Sequence, residues 1–195
     1  MSLISALANV HHQGQFGDFE DKKGDDLLQI SEKKNLLIVQ IVQFKNSKIP
    51  IESIDIDGLK LKDSSLNVAF NENTRMLWNG PKNWLLVSTK KDLIKKISST
   101  CKETDFAVTD LSHSRAVIDI EGNYVIEVLK KGSPFNFGIL KKDNSTNSLY
   151  NNIAFTVDLI NDKPFKVRLF VLRSFGESLY HSITDASLEF GYQTR

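Results

Sequence analysis

Residues 115–132 read RAVIDIEGNYVIEVLKKG and change from one periodicity to another at their midpoint. The first half is a short, mostly apolar run that ends at Gly122, which is typical of a buried strand. The second half places four apolar residues on one face of a helix: Tyr124, Val125, Val128 and Leu129. Because Gly132 then provides a stop signal, the segment predicts a strand followed directly by a short helix.

The remainder of the C-terminal half extends this unit. FTVDLIN (residues 155–161) and PFKVRLFVLRS (164–174) predict two strands joined by a turn at 161–164, after a loop at 133–152. A final helix follows, with a predicted capping box of Ser174 and Glu177. Its apolar stripe consists of Phe175, Leu179, Ile183, Ala186 and Phe190. The order strand, helix, strand, strand, helix is a split β-α-β arrangement, so the sequence predicts an α+β fold with antiparallel sheets and ferredoxin-like units.

Strand patterns dominate the part of the chain before residue 105. LLQI (27–30) and LLIVQIVQF (36–44) predict one hairpin, and TRMLWNGPKNWLLVS (74–88) predicts another. Thr89 and Asp92 predict a capping box for a short helix, whose buried stripe includes Cys101. We expect residues 27–195 to form one domain of two lobes that divide near residue 105.

Residues 1–26 predict an N-terminal arm. Its apolar residues at helical spacing are Leu3, Ile4, Leu7 and Val10. Four such residues cannot hold a helix alone in water. The arm therefore packs on this chain, docks on a partner chain or frays.

The composition of the chain excludes several classes of protein. Lys and Arg number 25 against 24 Asp and Glu, and the scattered lysine pairs form no basic track, so we expect no nucleic-acid partner. No apolar run is long enough to span a membrane, and the N-terminus lacks the features of a signal peptide. The single Cys101 permits no disulfide within the chain, so we expect a reduced, cytoplasmic protein.

The connection before the first quoted strand, VTDLSHS (108–114), carries the best candidates for chemistry. Asp110, Ser112 and His113 are the residue types of a nucleophilic site, with Arg115 close behind. Adjacent residues of a strand point to opposite faces, however, so Ser112 and His113 do not readily meet. We expect a corner in which Asp110 and Ser112 satisfy backbone donors, while Arg115 pairs with Asp110 or with nearby backbone.

Other motifs for chemistry are weak. His11 and His12 lack further convergent ligands, and no nucleotide-binding glycine loop occurs. The last helix carries four polar residues at i, i+4 spacing, which we expect to be a solvated stripe: Glu177, His181, Asp185 and Glu189. The sequence therefore predicts no catalytic, cofactor-binding or metal-binding residue.

Three stretches resemble, in order and spacing, the gamma subunit of heterotetrameric sarcosine oxidase. They are LWNGPKNWLLVS (77–88), VTDLSHSRAVIDIEGNYVIEVLKKGSPFNF (108–137) and RLFVLRSFGESLYHSITDASLEFG (168–191). The most specific motifs are D-L-S-H-S-R followed by I-x-G, and R-S-F-x-E-S-L. On this resemblance we predict structural or interface roles for Asp110, Ser112, His113, Arg115, Gly122, Arg173, Ser174 and Glu177.

That subunit is similar in turn to the folate-binding fold of the glycine-cleavage aminomethyltransferases. The resemblance implies an accessory chain of a four-chain enzyme that oxidises sarcosine to glycine, with alpha, beta and delta subunits as partners. It also implies that FAD, FMN, NAD, tetrahydrofolate and zinc belong to or act with the other chains, and that none is bound here. The transferases carry an essential aspartate where this chain has Asn151-Asn152-Ile153-Ala154, and Asp158 comes only later.

Three other functions stay open on the sequence. A stand-alone folate- or pterin-binding protein could place the ring on Trp78 or Trp84. A related N-methyl amino acid dehydrogenase, such as N-methylglutamate dehydrogenase, could use a similar small subunit. An enzyme could use Ser112 as its nucleophile. If the chain is an accessory subunit, an exposed apolar patch should mark its docking face, and the N-terminal arm is the expected part of it.

Overall fold

The computed structural model of the protein describes residues 4–195, apart from the side chain of Asp25, and these residues form strands and α-helices connected by short turns. The strands are β1 (Gly14–Phe16), β2 (Leu28–Glu32), β3 (Leu37–Gln43), β4 (Asp55–Ile56), β5 (Leu59–Lys60), β6 (Val68–Phe70), β7 (Thr74–Gly80), β8 (Asn83–Ser88), β9 (Phe106–Asp110), β10 (Arg115–Glu121), β11 (Asn144–Tyr150), β12 (Ile153–Asp162), β13 (Phe165–Leu172) and β14 (Tyr192–Thr194). The helices are α1 (Leu93–Thr100), α2 (Val125–Gly132) and α3 (Gly176–Ser187). None of the helices among the described residues has both the length and the apolar character needed to cross a membrane.

The chain divides into two compact units, and the first is built on a seven-stranded sheet. The first unit comprises residues 4–34, 114–142 and 147–195 of the described chain. Its sheet has the strand order β1-β14-β2-β10-β13-β12-β11, in which β2 and β14 are parallel and the central strands β10, β13 and β12 are antiparallel. Helices α2 and α3 pack on the central strands. The series β10, α2, β12, β13, α3 confirms the predicted α+β class and the split β-α-β unit.

The two faces of this sheet differ in chemistry. Ala116 on β10 faces α3, since a Cβ added at Gly176 would lie 2.9 Å from the Ala116 Cβ. Alternation along β10 places the buried Ile118 and Ile120 on the same face. Asp119 therefore points to the opposite face, where a charged row crosses the sheet.

Arg168 is the centre of this charged row. Its guanidinium donates from Nε to Asp119 Oδ1 at 2.7 Å and from Nη2 to Asp119 Oδ2 at 2.9 Å. Asp158 on the other neighbouring strand lies directly opposite Arg168 in register and is fully buried. One cation is thus flanked by two buried carboxylates, a geometry that favours this strand order over any slipped one.

The segment at 133–152, predicted as a loop, contains strand β11, so that prediction was wrong. The strand turns into β12 through Asn151 and Asn152, which have φ of 46° and 66°. A two-residue hairpin turn requires positive φ at both positions, and asparagine tolerates it better than most residues. The polar composition NSTNS concealed a strand in which Ser145 and Tyr150 are buried while Asn147 and Leu149 are exposed.

The predicted end of α2 at Gly132 is confirmed, and close packing explains why the residue is glycine. A Cβ at Gly132 would lie 2.4 Å from the ring of Tyr150. The ring is held there by a hydrogen bond from the Tyr150 hydroxyl to the Val128 carbonyl (2.9 Å). Glycine is needed because an aromatic ring packs directly on the backbone.

The predicted helix starts and stripes need correction. The residue directly before α1 is Asp92, and the residue directly before α3 is Phe175. Neither side chain makes a capping hydrogen bond, and neither residue is the predicted first member of its box, so both predicted capping boxes were wrong. The Thr89 hydroxyl instead donates to the Asn73 amide oxygen (3.1 Å). Phe175, which was predicted for the apolar stripe of α3, lies in a 3-10 turn before the helix and is exposed. Tyr124, which was predicted for the apolar face of α2, lies outside the core and stacks on Phe190.

The second unit comprises residues 35–113 and 143–146 and contains a five-stranded antiparallel sheet of order β6-β7-β8-β3-β9. The hairpin of β7 and β8 confirms the prediction for residues 74–88. The predicted hairpin of residues 27–44 is wrong, because β2 belongs to the seven-stranded sheet and β3 to this one. The predicted division near residue 105 falls inside this unit, whose first segment runs to His113.

The core of the second unit is apolar and includes Cys101, as predicted for a structural thiol. Burial raises the pKa of Cys101 to about 11, so the thiolate needed for nucleophilic chemistry is suppressed at neutral pH. The largest side chain of this core is Trp84, which is 1% exposed and donates from Nε1 to the Lys62 carbonyl at 2.8 Å. Trp84 therefore packs as core and has no free ring face.

A polar cluster ties the β4–β5 turn to the sheet of the second unit. Asp57 accepts hydrogen bonds from Lys90 Nζ (2.8 Å), from the Thr74 hydroxyl (2.7 Å) and from Asn71 Nδ2 (3.2 Å). The bonds from Lys90 and Thr74 are the main cause that lowers the pKa of Asp57 to about 2. A carboxyl with a depressed folded pKa contributes stability above its unfolded pKa, near 4, and loses it as the pH falls towards 2.

We expect Asp57→Asn to lower the free energy of unfolding by about 1 kcal/mol at pH 7, a value discounted for the partial exposure of Lys90. Asparagine keeps an oxygen for Thr74 and tolerates the positive φ of 57° at this position. The difference from wild type should shrink as the pH is lowered from 4 to about 2. Urea unfolding across this pH range measures it, with the exposed Glu72→Gln as control. A difference that stays constant with pH would contradict this role for the charge.

Candidate functional site

The corner after β9 places Asp110, Ser112 and His113 in the second unit, whereas Arg115 begins β10 in the first. Asp110 and Ser112 both bind backbone. The Ser112 N–H donates to Asp110 Oδ1 (2.8 Å), and the Ile38 N–H donates to Ser112 Oγ (3.0 Å). The expectation that these two side chains satisfy backbone donors is confirmed.

The Ser112 hydroxyl replaces a backbone carbonyl as a hydrogen-bond acceptor at the end of the β3–β9 pair. Leu111 donates its N–H to the Ile38 carbonyl (2.7 Å), and in a regular antiparallel pair Ile38 would return its N–H to Leu111. Here the chain turns away, and the Ser112 hydroxyl accepts that N–H instead. The hydroxyl oxygen is thus committed to the fold, which argues against its use as a nucleophile.

The charged residues of the corner also have structural contacts or face solvent. Burial acts to raise the pKa of Asp110, but hydrogen bonds from the Ser112 side chain and backbone, with the charges of His113 and Lys91, outweigh it. The pKa of Asp110 therefore lies below its usual value, which suits an acceptor and not a proton donor. His113 is exposed. Arg115 donates to the Ser114 carbonyl (3.4 Å), so of the two predicted partners it uses nearby backbone.

Gly122 ends β10 at a close approach of two strands. Its φ is 139°, and a Cβ there would lie 3.2 Å from Leu28 Cδ2. Its N–H donates to the Phe165 carbonyl (2.9 Å). The residue has a structural role in the seven-stranded sheet.

The second predicted motif, at the start of α3, holds the N-terminal segment. Arg173 donates from its guanidinium to the Ile4 carbonyl, and Glu177 accepts from Asn9 Nδ2 (3.2 Å). The Arg173 N–H also donates to the Ser114 carbonyl (2.9 Å). Ser174 is exposed beside them. Within the first unit, the motif holds the N-terminal segment against the start of α3.

The N-terminal arm itself packs in part on this chain. Leu7 is fully buried, whereas Ile4 is 74% exposed. The predicted contact of Leu3 lies outside the described residues. His11, weighed above as a metal ligand, instead hydrogen-bonds through Nδ1 with the Tyr180 hydroxyl (2.9 Å) and through Nε2 with the Arg195 carbonyl (3.0 Å). Sequence reasoning missed this role, because the partners are far away in sequence.

The predicted polar stripe of α3 is exposed along its whole length, as expected for a solvated face. Its members make separate contacts: Glu177 binds Asn9, and the Glu189 carboxylate lies 2.9 Å from Lys131 Nζ. Within the described part of the chain, no three His, Cys, Asp or Glu side chains are grouped as metal ligands.

A charged groove of the first unit has a volume of about 580 Å³ and lies on the face of the sheet opposite α3. Ion pairs line it: Lys166 Nζ lies 2.7 Å from Glu121, and Lys33 Nζ lies 3.9 Å from Asp119. Asp119 is also held by Arg168. Because these acids already have cationic partners, the groove offers a matched surface and no carboxylate poised for acid–base work.

A shallower groove of about 710 Å³ follows the N-terminal segment and the start of α3. Four serines and Ala6 line it, together with Leu172, Arg173 and Glu177. Large apolar side chains are exposed around it: Ile4, Leu172 and Phe175. Exposed apolar residues grouped in this way are typical of an interaction surface.

Both tryptophans have structural contacts in place of the ligand platform that the sequence left open. Trp84 is buried, and Trp78 donates from Nε1 to Asp63 Oδ1 at 2.7 Å. The Lys82 N–H also donates to Asp63 (3.2 Å), so the carboxylate secures the β7–β8 turn. Both indole N–H groups are used to hold the hairpin.

Solved structures show what this fold is similar to. No protein-family model matches the sequence, and no curated protein sequence matches it. A chain of the heterotetrameric sarcosine oxidase from Corynebacterium sp. U-96, in complex with pyrrole 2-carboxylate, is similar over 97% of this chain and 97% of its own, with TM-score 0.83 and 21% identity. The glycine cleavage system aminomethyltransferase T from Bartonella henselae is similar over 80% of this chain and 45% of its own, with TM-score 0.60 and 9% identity. The predicted resemblance in fold is confirmed.

We expect Ser112→Ala to lower the free energy of unfolding by about 1–2 kcal/mol, because the Ile38 N–H loses its acceptor. The exposed His113→Ala should change it by less than about 0.5 kcal/mol. Urea unfolding of both variants beside wild type measures the contrast. Equal stability of wild type and Ser112→Ala would show that the hydroxyl is free of a structural duty.

Proposed function

We propose that this chain is an accessory subunit, of the gamma type, in a heterotetrameric sarcosine oxidase that converts sarcosine to glycine. One observation carries the proposal: the fold corresponds from end to end to one whole chain of such an assembly, with 97% of each chain covered. A domain that merely shared a common fold would be expected to match part of a larger chain, as it does in the aminomethyltransferase, where it covers 45%.

The structural contacts of the polar residues that could have carried out chemistry support an accessory role. Ser112 and Asp110 complete backbone hydrogen bonding at the corner, and Cys101 is buried with a raised pKa. His11 is held between Tyr180 and the Arg195 carbonyl. On this proposal, FAD, FMN, NAD and zinc reside in the alpha, beta and delta partners, and this chain contributes surfaces to the complex.

The exposed apolar group around the N-terminal groove supports docking on a partner. Ile4 is 74% exposed, and Leu172 and Phe175 are 45% and 48% exposed. Arg173 ties this segment to the body of the first unit through the Ile4 carbonyl. A fixed apolar surface of this kind loses little conformational freedom when a partner covers it.

The second candidate is a stand-alone folate- or pterin-binding protein, which the similarity to the aminomethyltransferase favours. The stretch aligned with the essential aspartate of that family is here the Asn151-Asn152 turn, and Asp158 is buried opposite Arg168 in the sheet. Titration of the isolated chain with tetrahydrofolate, followed by tryptophan fluorescence, separates the two functions. Tight saturable binding by the isolated chain would favour this candidate.

Co-expression with the large subunits of a sarcosine oxidase from the same genome tests the leading proposal. We expect the chain to co-elute with them in size-exclusion chromatography. His113→Ala should weaken the complex about tenfold if, as predicted, this exposed side chain lies at the boundary.

The matched control is His181→Ala, which removes another exposed histidine, on the solvated stripe of α3. A chain that never co-elutes with the large subunits would refute the proposal. Equal assembly of the two histidine variants would refute only the boundary role of His113.

A further inference from the structure

The outer strand of the five-stranded sheet, β9, has a neighbour on one side only. The pattern of its bonds to β3 is fixed at both ends. Leu111 donates its N–H to the Ile38 carbonyl (2.7 Å), and Phe44 donates its N–H to the Asp105 carbonyl (2.8 Å). Because every second pair of an antiparallel ladder exchanges hydrogen bonds, the odd-numbered residues of β9 bond to β3.

The even-numbered residues, Phe106, Val108 and Asp110, therefore direct their backbone N–H and C=O groups away from the sheet. The Phe106 N–H is used locally, since it donates to the Lys102 carbonyl (2.8 Å). The Phe106 carbonyl and the backbone groups of Val108 and Asp110 remain on the outer side. Thr109 and Asp110 are exposed, so another chain can reach this edge.

The other sheet edges are shorter or partly closed. Strands β1 and β6 have three residues each. The start of β11 is closed by a bond from the Ser145 N–H to the Leu66 carbonyl (3.0 Å). Strand β9 has five residues in unbroken register with β3, and it contains neither lysine nor proline, the residues that proteins use to protect an edge.

The side chains of β9 indicate what kind of strand it would accept. Val108 is only partly buried and packs at the margin of the apolar core, so an apolar residue opposite it would complete the core. Asp105 and Asp110 lie at the two ends of the strand. Hydrogen bonds from the Ser47 and Thr104 hydroxyls lower the pKa of Asp105, so both carboxylates are charged at neutral pH.

These charges argue against a second copy of the chain as the occupant. Antiparallel pairing of two β9 strands centred on Val108 would place each Asp110 one residue away from Asp105 of the other copy. These carboxylates would project from opposite faces of the sheet, but like charges this close along adjacent strands still repel each other through space. A strand with basic residues at these positions gains attraction instead.

We propose that the free edge of β9 accepts an extended segment of a catalytic partner chain as a sixth strand, with an apolar side chain against Val108 and basic side chains towards Asp105 and Asp110. The proposal rests on the proposed function and specifies how the accessory chain is held. Main-chain hydrogen bonds provide affinity in such strand addition, and the side chains provide specificity.

Residue-resolved amide hydrogen exchange of the isolated chain and of the co-expressed complex tests this proposal. In the isolated chain the Val108 and Asp110 amides should exchange fast, while those of Ala107 and Thr109 should be protected by β3. In the complex the Val108 and Asp110 amides should slow by at least about 100-fold, as expected for amides that enter a sheet ladder. Protection of Val108 already in the isolated chain would overturn the proposal.

Val108→Pro is the matched substitution, because it removes only an outward N–H and leaves the bonds to β3 in place. We expect it to fold and to lose co-elution by at least about tenfold in affinity, while Val108→Ala, which keeps the N–H, should still assemble. If Val108→Pro does not fold, the exchange measurement decides.

The outcomes separate the two proposals. A complex that forms while Val108 and Asp110 keep exchanging fast would overturn the edge proposal and leave the accessory role standing. Equal assembly of the folded proline and alanine variants would do the same. Failure of wild type to co-elute would overturn both.

Discussion

Arg168 holds together the strands on which the rest of the first unit is built. It meets Asp119 with two donors at 2.7 and 2.9 Å, and Asp119 is only 3% exposed. A buried carboxylate is costly without a partner, and removing one member of such a pair typically costs about 3–5 kcal/mol. Because the fully buried Asp158 lies opposite Arg168 on the other side, the order β10-β13-β12 is fixed by charge as well as by apolar packing.

Residue types suited to catalysis have structural partners in this fold. The carboxylates of the central sheet are paired with Arg168, Lys33 and Lys166. The Ser112 hydroxyl replaces a backbone carbonyl at the end of the β3–β9 ladder. On the proposed accessory role, the function lies in two surfaces: the apolar residues near the N-terminus and the open edge of β9.

The C-terminal half could be predicted because its periodicity is strong and its contacts are local. β10, α2, β12, β13 and α3 lie in one continuous half of the chain and pack together in one unit, and the role of Asp110 depends on its near neighbour Ser112. The predictions fail where the structure of a segment depends on strands that are distant in sequence. LLQI and LLIVQIVQF have the pattern of a hairpin, but β2 and β3 belong to different sheets. The polar sequence of β11 has a low strand propensity, but pairing with β12 makes it a strand despite its composition.

Some site features could not have been read from the sequence at all. The open edge of β9 depends on which residues of FAVTD bond to β3, and that alternation is set by register, which the sequence alone leaves free. The capping boxes failed for a related reason. Thr89 finds Asn73 and Glu177 finds Asn9, partners that only the folded chain brings near.

On the proposed accessory role, this fold supplies surfaces to other chains and carries out no reaction itself. The most direct test is to purify the full chain alone, record its visible spectrum, and assay oxidation of sarcosine with and without tetrahydrofolate. The account predicts a colourless protein with no turnover under either condition. Sarcosine oxidation by the isolated chain, or a flavin that remains bound to it through purification, would contradict it.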